Sequence, residues 1–202
     1  MKDFGFYLVS TNPVVGYARC TEAAVRAIVR IVQPRMKHAA REDILREARE
    51  MRRVTRGTDT LFIVNDDPAL AAEAEADGVH VGQDDMSPVE VRAHFPQLKV
   101  VGLSTHNLDQ VRASWDQPID YIGVGPVYAT PTKDIPDPTL GPEMAGRMIA
   151  AARVPAVAIG GINAETLPPV LAAGARNFAV VRAVCQSQDP YSAIRKLLEI
   201  HA

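Results

Sequence analysis

Two cysteines, Cys20 and Cys185, are all that this 202-residue chain contains. They stand far apart and without C-x-x-C spacing, so neither a disulfide framework nor a cysteine zinc site is expected. Both read as buried or half-buried thiols in a reducing compartment. An excess of one charge is missing too: 22 Lys and Arg stand against 24 Asp and Glu, a formal net charge of −2. No general basic field exists to hold nucleic acid or an anionic membrane, though a local cluster of cations can still hold a small phosphorylated ligand. No apolar run approaches the roughly 18 residues that read as a membrane span. Met1 to Ser10 carry neither a long apolar h-region nor a small-residue cleavage site, so a cytoplasmic location is expected. No G-x-G-x-x-G follows the first apolar run, which counts against an open doubly wound sheet.

The rest of the composition is that of an ordinary globular domain, with 47% hydrophobic and 23% charged residues. At ~150 residues per domain the length gives one domain, large enough to bury about 70% of its unfolded surface. Eight short apolar runs recur along it, at 6–9, 29–32, 61–64, 79–81, 100–103, 121–124, 156–159 and 178–181. They are β-branched and mostly unalternated, as strands of a parallel sheet covered on both faces must be. Helical patterns fill the intervals. Ser87-Pro88-Val89-Glu90 is a capping box, Asp67-Pro68 and Asp189-Pro190 repeat the cap-then-proline order, and Asn107 and Asn163 are further caps. Ile44, Leu45, Ala48, Met51 and Val54 give one apolar stripe between Glu42 and Thr55. Eight β-then-α units predict a single-domain α/β fold, a (β/α)8 TIM barrel over residues 1–202.

In such a barrel the chemistry lies on the loops that follow the strands. Those loops begin Gln33-Pro34-Arg35-Met36-Lys37, Asn65-Asp66-Asp67, Gly82-Gln83-Asp84-Asp85, Ser104-Thr105-His106, Thr130-Pro131-Thr132-Lys133, Gly160-Gly161-Ile162-Asn163 and Arg182. Asp67 is placed to cap the helix after it, which leaves Asp66 spare. Ser87 does the same for Asp85. The alternation of Gln33, Arg35 and Lys37 aims all three one way if the strand continues. Two acids from adjacent loops suit a hard divalent cation such as Mg2+, which bridges to phosphate oxygens. With Arg35, Lys37, Lys133 and Arg182 around them, the set describes a diphosphate site, where a good leaving group departs as its charge is absorbed. Gly160-Gly161 and the terminus of the eighth run hold the usual backbone phosphate position of a barrel. The Pro-rich stretch 131–138 reads as an active-site loop. His80 reads as a hydrogen-bonded core histidine, His106 as either facing the site or capping a turn, the structural role being favoured, Trp115 and Tyr121 as packing, and His38, His94 and His201 as surface residues. No Ser/His/Asp or Cys/His set and no strong base stand at the strand ends.

These stretches, together with Ala76-Asp77-Gly78-Val79-His80-Val81-Gly82-Gln83-Asp84-Asp85, Gly102-Leu103-Ser104-Thr105-His106, Asp120 to Lys133 and Ala158-Ile159-Gly160-Gly161-Ile162, resemble the thiamine-phosphate synthase family over nearly the full chain. The resemblance implies a transferase that joins hydroxymethylpyrimidine diphosphate to a thiazole phosphate, free or carboxylated, and releases diphosphate. It implies Mg2+ on Asp66 and Asp85. Gln33, Arg35, Lys37, Asn65, Ser104 and Lys133 would bind the pyrimidine diphosphate, with Arg35, Lys37, Ser104 and Lys133 taking the catalytic part. Thr130, Pro131, Thr132, Gly161, Val181 and Arg182 would line the thiazole phosphate site. Partners are then phosphorylated small molecules; a homo-oligomer is left open. Pro34 replaces a usual Leu, Ile28 a common Gly, and Arg182 a frequent Ser. The related thiazole tautomerases carry a catalytic histidine where this chain has Pro126, and proline moves no proton.

Overall fold

A computed structural model describes residues 3–130 and 138–201. Eight parallel strands close into one barrel in chain order: β1 (Phe6–Ser10), β2 (Ile31–Pro34), β3 (Leu61–Asn65), β4 (Gly78–Val81), β5 (Val100–Thr105), β6 (Tyr121–Val124), β7 (Ala156–Ala158) and β8 (Asn177–Val180). Closure comes from β8 pairing with β1, Tyr7 opposite Ala179. The helices between them are α1 (Tyr17–Arg26), α2 (Arg41–Thr55), α3 (Pro68–Glu73), α4 (Pro88–His94), α5 (Leu108–Ala113), α6 (Gly141–Ala151), α7 (Leu167–Ala172), α8 (Arg182–Cys185) and α9 (Pro190–His201). The expected barrel is therefore present. β2 begins two residues later than its apolar run, which takes Gln33 and Pro34 into the strand.

The alternation of side chains sorts each strand into two environments. Phe6, Leu8, Phe62, Val64, Val79, Val101, Ile122 and Phe178 point outward and meet Leu45, Met51, Leu70, Val91, Met148, Leu167 and Ile194 of the helices. Tyr7, Val9, Ile31, Ile63, Val100, Tyr121, Val157 and Ala179 point inward and fill the barrel's centre. Both faces are dry, which is why the runs were apolar without alternation. Most of the caps form as read. Asp67 accepts from Leu70 N at 2.8 Å, Asn107 from Gln110 N at 2.9 Å, and both bonds of the Ser87–Glu90 box are made. Asn163 differs: it accepts from Glu165 N and Thr166 N in a turn that precedes α7, so it is not that helix's first cap.

The end of the barrel where the strands begin is pinned by side chains. Asp77 accepts from Phe62 N at 2.8 Å and pairs with Arg52 at 3.1 Å. Asp120 accepts from Val101 N at 2.7 Å and pairs with Arg92 at 2.6 Å. Asn177 accepts from Phe4 N and Gly5 N at 2.7 and 3.0 Å. Each residue stands at the start of one strand and ties down an amide of its neighbour. Cys20 and Cys185 are both free and buried; Cys185 Sγ donates to the Val9 carbonyl at 3.6 Å, and the two thiols act on each other, the first shifted upward and the second downward.

Ile28 takes φ 62° and is 73% exposed. A β-branched residue in the left-handed region costs about 1–2 kcal/mol that glycine does not. Glycine gives back about 0.5–1 kcal/mol through the greater freedom of its unfolded chain. Ile28→Gly is therefore expected to raise the melting temperature by about 1–3 °C, read by calorimetry; a fall would mean that the side chain earns its place in packing.

Candidate active site

The inward parity of the barrel carries through to the ends of the strands. A cavity of about 420 Å³ opens there, and Gln33, Arg35, Asn65, Ser104, Thr130, Gly161, Val181 and Arg182 all line it, as the sequence predicts. Lys37 stands beside it, in an adjoining cleft of about 540 Å³ that shares Arg35, Val181 and Arg182 with the cavity. Pro131, Thr132 and Lys133 lie outside the described residues, as does most of the loop read over 131–138.

Asp66 and Asp85 come together. With Asp67 occupied as the cap of α3, Asp66 takes φ 64° and its N–H donates to the His80 carbonyl at 2.8 Å. Its carboxylate pairs with Lys37 Nζ at 2.5 Å. Asp85 Oδ2 accepts from Gly82 N–H at 2.7 Å. Partial withdrawal from water raises the Asp85 carboxyl above the usual carboxylate range; Gly82 N–H opposes this, while the neighbouring Asp66 carboxylate adds to it. Two facing carboxylates with one ammonium leave a local surplus of negative charge, which an added cation would relieve. Among the described residues no group of three or more His, Cys, Asp or Glu could hold a metal ion, so a cation here would draw its other ligands from water or from a bound anion.

The opposite wall is backbone. Gly160 and Gly161 follow β7 with φ 106° and 67°. A Cβ on Gly160 would stand 2.6 Å from Pro126 Cα, and one on Gly161 2.7 Å from Tyr128 Cβ. Only glycine fits there because the loops after β6 and β7 are laced together, Val127 N–H donating to the Ile159 carbonyl at 2.8 Å and Tyr128 N–H to Gly160 at 3.0 Å. Arg182, at the start of α8, reaches Gln186 Oε1 at 3.3 Å and faces both the cavity and the cleft.

The floor is where sequence reading fell short. Gln33 Nε2 donates to Tyr7 Oη at 2.7 Å, Tyr7 Oη lies 3.0 Å from Tyr121 Oη, Tyr121 Oη lies 3.0 Å from His80 Nδ1, and His80 Nε2 lies 2.9 Å from Ser104 Oγ. His80 is hydrogen-bonded, as expected, but it lines the cavity and is not shut in the core. Tyr121 packs, as expected, yet its hydroxyl is a link in the chain. Burial raises both tyrosine hydroxyls well above the ordinary range, so both are neutral donors. His106 Nδ1 donates to the Gly125 carbonyl at 2.7 Å, and the residue also lines the cavity, so it both holds the loop after β6 and faces the site. Five strands contribute to this chain, and no spacing along the sequence announces such contacts.

The family described as thiamine monophosphate synthase matches residues 6–184. A thiamine-phosphate synthase of Synechococcus sp. (strain WH7803) is 45% identical over 179 residues, 89% of this chain and 50% of its own length. One of Archaeoglobus fulgidus is 38% identical over 179 residues, 89% of this chain and 84% of its own. The chain thus spans about half the length of the cyanobacterial relatives it matches. Among solved structures, a thiamine phosphate pyrophosphorylase from Pyrococcus furiosus superposes with a TM-score of 0.88 at 27% identity, over 98% of this chain and 96% of that one. The chain belongs to the thiamine monophosphate synthase family.

Proposed function

We propose that this chain is a thiamine-phosphate synthase, a transferase that joins hydroxymethylpyrimidine diphosphate to a thiazole phosphate. The observation that carries the reading is the neighbouring pair Asp66 and Asp85, with Lys37 on the first of them, Lys37 lining a cleft that shares Arg35 and Arg182 with the cavity. The surplus negative charge fits magnesium, which keeps several waters and takes one or two carboxylates plus substrate phosphates. Asp66 and Asp85 would hold such an ion, which would supply charge neutralisation to a departing diphosphate. Arg35 and Lys37, and Lys133 by the family resemblance, bind the diphosphate oxygens and stabilise the charge that grows as the methylene C–O bond breaks. The bonding electrons leave with the diphosphate. The thiazole nitrogen then places its lone pair on the methylene carbon, so no side chain needs to remove a proton. Gln33, Asn65 and Ser104 orient the pyrimidine, while Thr130, Pro131, Thr132, Gly161, Val181 and Arg182 take the thiazole phosphate. Either the free or the carboxylated thiazole phosphate is a candidate acceptor. No helix among the described residues is long and apolar enough to cross a membrane; a cytoplasmic location belongs to the same reading.

The test mixes the purified chain with both phosphorylated substrates and magnesium, and looks for thiamine phosphate by mass. Folded protein that forms none would sink the reading. Arg182→Ala is expected to raise KM for the thiazole phosphate by about one to two decades with little change in kcat, the effect of losing a charge-assisted hydrogen bond made equally in ground and transition states. An unaltered KM would show that Arg182 serves something else.

A further inference from the structure

We infer that the hydrogen-bond chain on the cavity floor runs one way, from Gln33 through Tyr7, Tyr121 and His80 to Ser104, holding His80 as the neutral Nε2–H tautomer and presenting the Ser104 hydroxyl proton to the ligand. The direction follows from donor counting. Gln33 Nε2 only donates, so Tyr7 Oη accepts from it at 2.7 Å. Tyr7 is 2% exposed, and Tyr121 Oη at 3.0 Å is the other partner its hydroxyl has among the described residues. A Tyr7 oxygen that accepted from both sides would leave its own proton buried without an acceptor, at the full desolvation cost of that group. Tyr7 therefore donates to Tyr121. Tyr121, fully buried, has spent one lone pair and must place its proton on His80 Nδ1 at 3.0 Å. With Nδ1 accepting, the neutral ring carries its hydrogen on Nε2 and donates it to Ser104 Oγ at 2.9 Å. The Ser104 proton is then turned outward, into the cavity that Ser104 lines.

A second observation shows that the fold makes room for this arrangement. A Cβ on Gly102 of β5 would stand 2.5 Å from His80 Nδ1 and 2.5 Å from Tyr121 Oη, in the gap their hydrogen bond crosses. Gly123 of β6 leaves space for the other side of the same ring, with a Cβ there 3.4 Å from His80 Cε1. Tyr121 stacks on His80 at a centroid distance of 5.4 Å and an interplanar angle of 27°, and meets Tyr7 edge-on at 5.9 Å, which fixes the plane of each link.

Tyr7, Tyr121 and His80 are positioning residues by this account, and they set a specificity: the group of the ligand that rests on Ser104 must accept a hydrogen bond. The consequence for turnover rests on the proposed function; the tautomer does not. The experiment records nitrogen-15 spectra of the full chain with labelled histidine, without ligand, for wild type, Tyr121→Phe and Tyr7→Phe. His80 of the wild type is expected with Nε2 protonated and Nδ1 bare. Tyr7→Phe keeps that pattern, because Tyr121 still donates, whereas Tyr121→Phe mixes or reverses it. A wild-type His80 protonated on Nδ1, or a ring signal indifferent to Tyr121→Phe, overturns the inference. A rescue pair adds a kinetic readout. His80→Gln sets an amide N–H where Nε2 stood and should keep KM for the pyrimidine diphosphate within about threefold, while His80→Asn should raise it roughly tenfold or more. Equal losses in the two would assign His80 to packing alone. A chain that forms no thiamine phosphate but shows the expected tautomers would sink the proposed function and leave the inference standing.

Discussion

Asp85→Asn is expected to lower magnesium-dependent turnover by about two orders of magnitude, the scale of removing one preorganised electrostatic contact to a developing anion. The change is isosteric, and Asn can still accept from Gly82 N–H, so the loop after β4 keeps its shape. It also removes one of two facing negative charges, so the folded chain without metal should be no less stable than the wild type. Thermal melting separates the two effects. Magnesium with inorganic diphosphate should raise the melting temperature of the wild type, because a ligand that binds only the folded state stabilises it, and should raise that of Asp85→Asn far less. Asp66→Asn is the companion variant, since Asn, unlike Ala, tolerates the φ of 64° at that position. A wild-type rate unchanged in excess chelator would remove magnesium from the account.

Gly160→Ala is expected to damage the fold and the cavity wall together. Its Cβ would stand 2.6 Å from Pro126 Cα and 3.0 Å from Val127 N, both backbone, so no side chain can swing aside. The φ of 106° adds conformational strain of about 1–3 kcal/mol for a residue with a Cβ. Overpacking adds about 1–3 kcal/mol more. Together they should lower the melting temperature by on the order of 10 °C. They should also raise KM for the thiazole phosphate more than that for the pyrimidine diphosphate, since only the first is assigned to this wall. Equal effects on both KM values would place the thiazole phosphate elsewhere.

What could be read from the sequence follows from how locally each feature is encoded. The strands were legible because burial on both faces leaves dense apolar runs, and the rim was legible because a residue such as Asn65 or Ser104 breaks a run at its end. Asp66 was separable from Asp67 by cap chemistry alone, Asp67 preceding Pro68 by one residue. The floor was not legible. Tyr7 and Tyr121 are 114 residues apart, and each reads in isolation as one more aromatic in an apolar run. Cys20 and Cys185 influence one another for the same non-local reason, Cys185 Sγ donating to the Val9 carbonyl of β1 from the far end of the sequence. β2 is displaced by two residues from its apolar run because its end is set by pairing with β1, Pro34 lying beside Ser10, and not by the apolar run 29–32 alone.

The side-chain ties made by Asp77, Asp120 and Asn177 all lie where the strands begin, at the far end of the barrel from the cavity. Stiffness and chemistry thus draw on different residues. A redesign that keeps the Gly160-Gly161 turn and exchanges the other loops would inherit a foundation already anchored from below, and variation in those loops should change selectivity before it threatens the barrel itself.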